Sequence, residues 1–371
     1  MGKHVLLLGG GHAHLTLISK IGGLVQRGHR VTLVQPAEYH YYSGMGPGML
    51  GGTYQPGDIR FASRTMVENQ GGVFIRSQAV HIDGAADTVV LDSGEAITYD
   101  VLSCNVGSIV PTDLADPANE SVFSVKPIEN LATARELVIS LCRTRAITAA
   151  IIGGGPSAVE IAGNLHQLGS RPGLHRPRIV LLAGKSLMKQ APPRVAAMVW
   201  RRLNSLAVEV VTGARADHVD QQVIVLTGGE SLQADVIFLA IGVKPSPLFA
   251  QSGIGTASDG GLPVNEYLQS IEYPNIFGGG DCIHFTPRPL AKVGVYAVRQ
   301  NKVLAHNIAA AVDGGRLIPF DPGGDYLLIY NLGNGRGVLA KWSVVLGGRL
   351  AFMIKNLIDR SFMRKFQGMA G

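Results

Sequence analysis

The 371-residue chain carries 33 basic against 27 acidic residues, a formal net charge of +6, with 46% of its residues hydrophobic and only 16% charged. That length supports two or three domains around a sizeable core, and the charge shortfall points to an apolar contact surface on a membrane or a partner. The 48 glycines follow no collagen period, which indicates tight turns and excludes low complexity. With no zinc spacing, RNA-binding signature or aromatic-interleaved basic helix, the positive charge is assigned to anionic cofactors or lipid and not to nucleic acid.

Residues 4–8 read as a buried parallel strand that runs into Gly9-Gly10-Gly11-His12-Ala13-His14 and then a helix over 12–27. A second strand over 29–34 ends at Gln35. Residues 39–48 read as a loop rich in aromatics and glycine. Short strands over 73–103, turning at Asp83-Gly84 and Ser93-Gly94, form a meander, and residues 99–107 return to the first turn. A helix over 127–143 leads into a strand over 149–152 and a second turn, Gly153-Gly154-Gly155-Pro156-Ser157-Ala158. The same grammar then repeats: a strand over 179–182, a helix over 193–206, and strands near 208–212, 222–227 and 235–241, closing at Gly242 and Pro245. Residues 274–281 read as a strand ending in a Gly280-Asp281 turn, residues 292–312 as a helix, and 316–371 as a small strand pair followed by a basic amphipathic helix.

In each glycine turn an apolar strand meets a tight bend and a helix start, where backbone N–H groups approach a pyrophosphate. Two such turns in tandem imply two dinucleotides and electron transfer between them. Cys104, Cys142 and Cys282 form no CxxC pair, so a dithiol–disulfide relay lacks its parts, and no metal cluster is visible. The first turn arrives within ten residues, leaving no room for a signal peptide, and no apolar run reaches transmembrane length. The expected location is cytoplasmic, peripheral on the inner face of a membrane.

The order of elements resembles the two-dinucleotide-binding-domain flavoproteins of the pyridine nucleotide-disulfide oxidoreductase superfamily. Within it the chain is similar to type II NADH dehydrogenases, to sulfide:quinone reductases and to the flavoprotein module fused ahead of selenophosphate synthetase. Residues 42–48 and 292–300 carry the last likeness. The resemblance implies an α/β fold with two Rossmann-like domains: an FAD domain over 1–125 and 246–315, an NAD(P) domain over 126–245, and a C-terminal region over 316–371. It implies that Gly9, Gly11, His12 and Ala13 hold the FAD pyrophosphate, with His14 in place of a small residue. Gln35 stands where an acid binds the adenosine ribose, Val80 where backbone contacts adenine, and Gly107, Gly280 and Asp281 along the FAD. Gly153, Gly155, Ser157 and Gly242 fall to NADH or NADPH.

Glu160 stands beside the nicotinamide in quinone-reducing relatives; the alternative is a first-turn glutamate favoured by the helix dipole. Lys292 would stabilise reduced flavin at its N1–C2=O edge, or else face solvent, and Tyr296 would meet a quinone head-group, or else pack in the core. After the strand over 179–182 no acid awaits the NADH ribose, while Lys185 and Lys189 suit a 2′-phosphate or are merely solvated.

Over 341–366, Leu346, Leu350, Met353, Leu357 and Ile358 recur at helical spacing between Trp342 and Phe366. Lys341, Arg349, Lys355, Arg360, Arg364 and Lys365 oppose only Asp359. This reads as a membrane-docking helix, the alternative being a helix packed on the FAD domain or in a homodimer. The activity expected is FAD-dependent NAD(P)H:quinone oxidoreduction, or otherwise transfer to another small electron acceptor. The rivals are a flavin reductase of selenium or sulfur metabolism and a nucleotide-binding flavoprotein that acts through partner binding.

Overall fold

Two five-stranded parallel sheets organise the computed structural model, which describes residues 2–368. Met1 and residues 369–371, the ends of the expected 1–125 and 316–371 segments, lie outside the described residues. In the first sheet the order is Ile276–Gly278, Val101–Cys104, His4–Leu8, Arg30–Gln35 and Val73–Arg76. In the second it is Val122–Ser124, Val236–Leu239, Thr148–Ile152, Arg178–Leu182 and Glu209–Val211. The central strands are near-continuous apolar runs, as a sheet covered on both faces requires; every residue of His4–Leu8 is buried.

Each sheet is interrupted in the chain by a three-stranded antiparallel meander, after which Val101–Cys104 and Val236–Leu239 return to the first and second sheets. One comprises Ala79–Asp83, Thr88–Leu91 and Ala96–Thr98, the other Ala216–Asp220, Val223–Leu226 and Ser231–Gln233. In both meanders the first strand bulges, at Val80 and at Asp217. The strand Ile276–Gly278 completes the first sheet after the whole second unit has intervened.

Four local expectations change. The helix over 12–27 is two short helices, Leu15–Ile18 and Ile21–Gln26. Ser19 donates its hydroxyl to Thr16 O, and Gly22-Gly23 weaken propagation past the break. The aromatic-glycine loop contains a buried helix, Gly46–Leu50, started by Pro47 within its first turn. In the second meander, Ala216–Asp220 and Ser231–Gln233 escaped the sequence reading because their polar side chains mask the alternation. The C-terminal region has three strands, Leu328–Asn331, Gly337–Lys341 and Val344–Gly348, and its helix is only Arg349–Gln367. Lys341, Trp342 and Leu346 therefore lie on a hairpin, which turns at Trp342 with φ +52°. The β-branched Val344-Val345 pair favours strand there.

Among the described residues no helix is long and apolar enough to cross a membrane. The C-terminal sheet seats on the helix Pro156–Gly169 through a near-contact of glycines. A Cβ on Gly163 would lie 2.5 Å from Leu332 O, and one on Gly333 2.0 Å from Gly163 O. Gly163→Ala is expected to destabilise the protein by about 1–3 kcal/mol, because backbone must move to admit the methyl group. A thermal-melting midpoint equal to that of the unaltered protein would contradict this packing.

Candidate functional site

The first glycine turn is locked by the protein itself. Gly9 has φ +83°, and a Cβ there would lie 2.4 Å from Asn105 O. Gln35 is buried and its Oε1 accepts the Gly10 N–H at 2.8 Å, while its Nε2 donates to Tyr39 O at 3.1 Å. The structure thus gives Gln35 the task of holding the turn, where a ribose contact was expected. His14 is fully buried and bridges Gly9 O at 2.6 Å and Ser103 Oγ at 2.8 Å. Burial draws its pKa down to about 4, so it is a neutral imidazole with one donating and one accepting nitrogen. A larger residue at this position is accommodated because Ser103 is its partner.

Three features face the crevice beside this turn. A Cβ on Gly11 would meet Asn105 Nδ2 at 2.7 Å, and one on Gly280 would meet Asn105 Oδ1 at 2.7 Å. Asn105 is buried between them, and its Nδ2 has no hydrogen-bond partner. His12 Nε2 is likewise buried and unpartnered, while its ring faces His40 and Tyr42 and stacks on Phe362 at 5.6 Å. Burial and the nearby charge of Lys126 hold His40 down at about 4, and burial, with His40 and Lys126 nearby, holds His12 well below the usual imidazole range. Ala13 is fully buried, where a Cβ on Gly279 would come within 2.8 Å of it. Asn105 follows a strand whose end, at Gly107, the sequence had flagged; its own role carried no motif.

Asp281 Oδ2 accepts from Lys126 Nζ at 2.7 Å and from Ser108 Oγ at 2.7 Å. Gly280, at φ +76°, donates its N–H to Gln300 Oε1 at 2.7 Å. Neither Lys126 nor Gln300 was expected. Lys126 follows a strand of the second sheet and so ties that unit to the Gly280-Asp281 turn of the first. Lys292 and Tyr296 line a small cavity together with Gly280, Asp281 and Gln300. Lys292 is nevertheless paired with Asp259 at 2.9 Å and donates to Ile283 O. It faces this cavity with its charge compensated by Asp259, not solvent alone. Tyr296 packs edge-on against Tyr326 at 5.4 Å. Val80 is the extra residue of its bulge and 43% exposed, and Gly107, with φ +71°, faces open space.

The second turn divides its glycines differently. Gly153, at φ +137°, would place a Cβ 2.2 Å from Ala240 O, and Gly154 would place one 2.5 Å from Ala183 O. Gly155 and Gly242 have no heavy atom within 4 Å of such a Cβ. The φ of +96° calls for glycine at Gly242, whereas neither packing nor backbone conformation does so at Gly155, with φ −91°. They leave a cradle at the start of the helix Pro156–Gly169, with Ser157 exposed beside it.

Glu160, one turn in, accepts the Asn331 N–H at 2.7 Å. Burial raises its pKa to about 7 against the opposing pull of the Lys355 charge. Lys355 belongs to the C-terminal helix and is buried, not solvent-facing as its spacing suggested. It forms an ion pair with Asp359 at 2.8 Å and donates to Gly44 O at 2.8 Å, while Tyr42 OH donates to Asp359 at 3.1 Å. All three cysteines are buried, and burial pushes the Cys282 thiol up to about 11 and holds that of Cys104 well above the usual thiol range.

The family model for pyridine nucleotide-disulphide oxidoreductases matches residues 3–310. The chain belongs to this family. A type II NADH:quinone oxidoreductase of Staphylococcus saprophyticus is 25% identical, the match covering 99% of this chain and 96% of that one. Among solved structures, the sulfide:quinone oxidoreductase of Aquifex aeolicus superposes with a TM-score of 0.78 at 18% identity over 99% of this chain and 92% of that one. An NDH2 of Plasmodium falciparum in complex with NADH gives 0.78 at 14% identity over 99% and 100%.

This pyridine nucleotide-disulphide oxidoreductase is an NAD(P)H oxidoreductase that uses FAD. The donor set fits the cofactors: unpartnered buried Asn105 and His12 nitrogens beside the first turn, and an open cradle at the second. FAD supplies two-electron chemistry; the protein supplies placement and charge. Gly11→Val is expected to displace Asn105 and yield protein depleted of FAD, whereas Gly155→Val keeps FAD and slows its reduction by NAD(P)H. Flavin absorbance per mole of purified protein, with stopped-flow reduction rates, checks both. Equal FAD loss in the two variants would mean that the turns have been assigned to the wrong nucleotides.

Proposed function

We propose that the protein passes electrons from NAD(P)H through FAD to a quinone, docked on a lipid surface by its C-terminal helix. One observation carries this reading: the helix Arg349–Gln367 is apolar on its outer side and closes the site with its inner side. Leu357 is 71% exposed, Met353 63% and Leu350 55%, continuing to Trp342 at 70% on the adjacent hairpin. Apolar surface of this kind marks a docking site, and Arg349, Arg360, Arg364 and Lys365 around it favour an anionic leaflet. On the inner side Lys355, Asp359 and Phe362 face Gly44, Tyr42 and His12. An acceptor dissolved in lipid would meet the flavin side of the molecule from there. The name of the staphylococcal relative supports the same acceptor class. Buried cysteines with raised pKa values are poor thiolates, which disfavours sulfide chemistry.

In this reading Glu160 exchanges the proton that a quinone needs on becoming a quinol. Its pKa of about 7 lies near the operating range that suits a general acid. The carboxyl is protonated below that value and ionised above it, so quinone turnover should fall as pH rises through about 7. Glu160→Gln should abolish this limb while leaving FAD content unchanged. An identical pH profile in the variant would remove Glu160 from the proton path.

Because the helix also covers buried groups, deleting it would confound docking with loss of the site. The cleaner test alters the outer side alone. Leu350→Asp combined with Leu357→Asp is expected to abolish co-sedimentation with anionic vesicles and slow turnover of a long-tailed quinone. Turnover of a short soluble quinone should be preserved. Unchanged vesicle binding would end the docking proposal.

A further inference from the structure

The sequence left open which nicotinamide nucleotide the second turn takes, and the surroundings of that turn bear on it. NAD and NADP differ only at the adenosine 2′ position. A Rossmann unit recognises that position at the end of its second strand, with an acid for the ribose diol or a basic residue for the 2′-phosphate. Here the relevant strand is Arg178–Leu182, and the loop after it folds back over the turn. Met188 N–H donates to Gly154 O at 2.7 Å, and a Cβ on Gly154 would meet Ala183 O at 2.5 Å and Ser186 O at 2.9 Å. The loop is thus fixed beside the cradle at Gly155. It presents Lys185, Ser186 and Lys189, all exposed. Neither lysine side chain has a hydrogen-bond or ion-pair partner among the described residues.

No acid occurs anywhere over 178–208. The nearest carboxylates of this unit are committed elsewhere. Glu209 pairs with Arg178 at 2.7 Å, and Asp235 pairs with Arg145 at 2.6 Å and accepts from Thr148 N–H at 2.7 Å. Both lie at the beginnings of strands, the end of the sheet opposite the glycine turn. Asp217 sits on the meander beside His218 at 3.0 Å. A ribose diol therefore finds no carboxylate in the strand or the loop after it, and a 2′-phosphate finds two uncommitted ammonium groups there.

We propose that residues 183–189 make this enzyme select NADPH over NADH, with Lys185 and Lys189 holding the 2′-phosphate and Ser186 offering a hydroxyl. This rests on the second turn being the nicotinamide-nucleotide site, and it departs from the NADH named for the staphylococcal and Plasmodium relatives.

The test compares NADPH with NADH as reductants of the FAD-loaded protein and titrates NADP+ and NAD+ into the oxidised form by calorimetry. Unaltered protein should favour NADPH in kcat/KM by at least about tenfold, one decade of differential binding. It should also bind 2′,5′-ADP more tightly than 5′-ADP. Lys185→Ala with Lys189→Ala should raise the KM and Kd for the phosphorylated nucleotides and leave NADH unaffected, and Lys185→Glu should reverse the preference. Added salt should weaken NADPH selectively, since exposed charges are screened. Equal or better use of NADH by the unaltered protein would overturn the proposal and leave the site assignment standing. Failure of both nucleotides to bind or to reduce the flavin would overturn the site assignment along with it.

Discussion

Both halves of the molecule depend on one steric condition: a backbone carbonyl from the neighbouring strand's exit packs where a side chain would begin. Asn105 O does this to Gly9, and Ala240 O does it to Gly153. Any Cβ at either position would overlap an oxygen that cannot retreat without breaking the adjoining parallel pairing, and both glycines also hold positive φ. The bend that results turns the chain from a buried strand into a helix start with its N–H groups facing outward. The return strands Val101–Cys104 and Val236–Leu239 therefore help to shape the nucleotide sites as well as complete the sheets.

Beyond that shared condition the two sites are built to different degrees. The first is enclosed: His14, Gln35, Asn105 and the Lys126–Asp281–Ser108 cluster make a polar shell around one turn. The second is open, with Gly155 and Gly242 facing empty space. Such a contrast suits one nucleotide that stays and another that comes and goes. Lys126 also places a residue of the second unit against the first unit's Asp281, so the polar shell around the first turn draws on both units.

Much of this was legible in the sequence where local rules and tertiary structure agree. Continuous apolar runs ending in glycine triplets gave both central strands and both turns, and the Gly280-Asp281 element followed from its preceding strand. What escaped depends on contacts between distant segments. Asn105, Lys126 and Gln300 carry no motif; each matters because another segment folds against it. Lys292 could not be known to meet Asp259, 33 residues away in sequence (292 − 259). In the C-terminal helix the sequence hid the burial of Lys355 and Asp359, for a physical reason. Periodicity identifies a polar and an apolar side but does not say which is buried. Here Lys355 and Asp359 face inward as a satisfied pair, while Leu357 and Met353 face out.

An inward-facing ion pair is weak evidence for stability, since apolar replacements of equal volume are often as good. This one also holds Tyr42 and Gly44 and lowers the pKa of the neighbouring Glu160 through the Lys355 charge. The proposed function requires electrons to cross from a nicotinamide nucleotide to a quinone through bound flavin. Anaerobic double-mixing stopped flow measures that directly, by bleaching the flavin of the purified protein with NAD(P)H and then adding a short soluble quinone. Rapid bleaching should be followed by flavin reoxidation whose rate rises with quinone concentration. Reduced flavin that persists unchanged in the presence of quinone would contradict it.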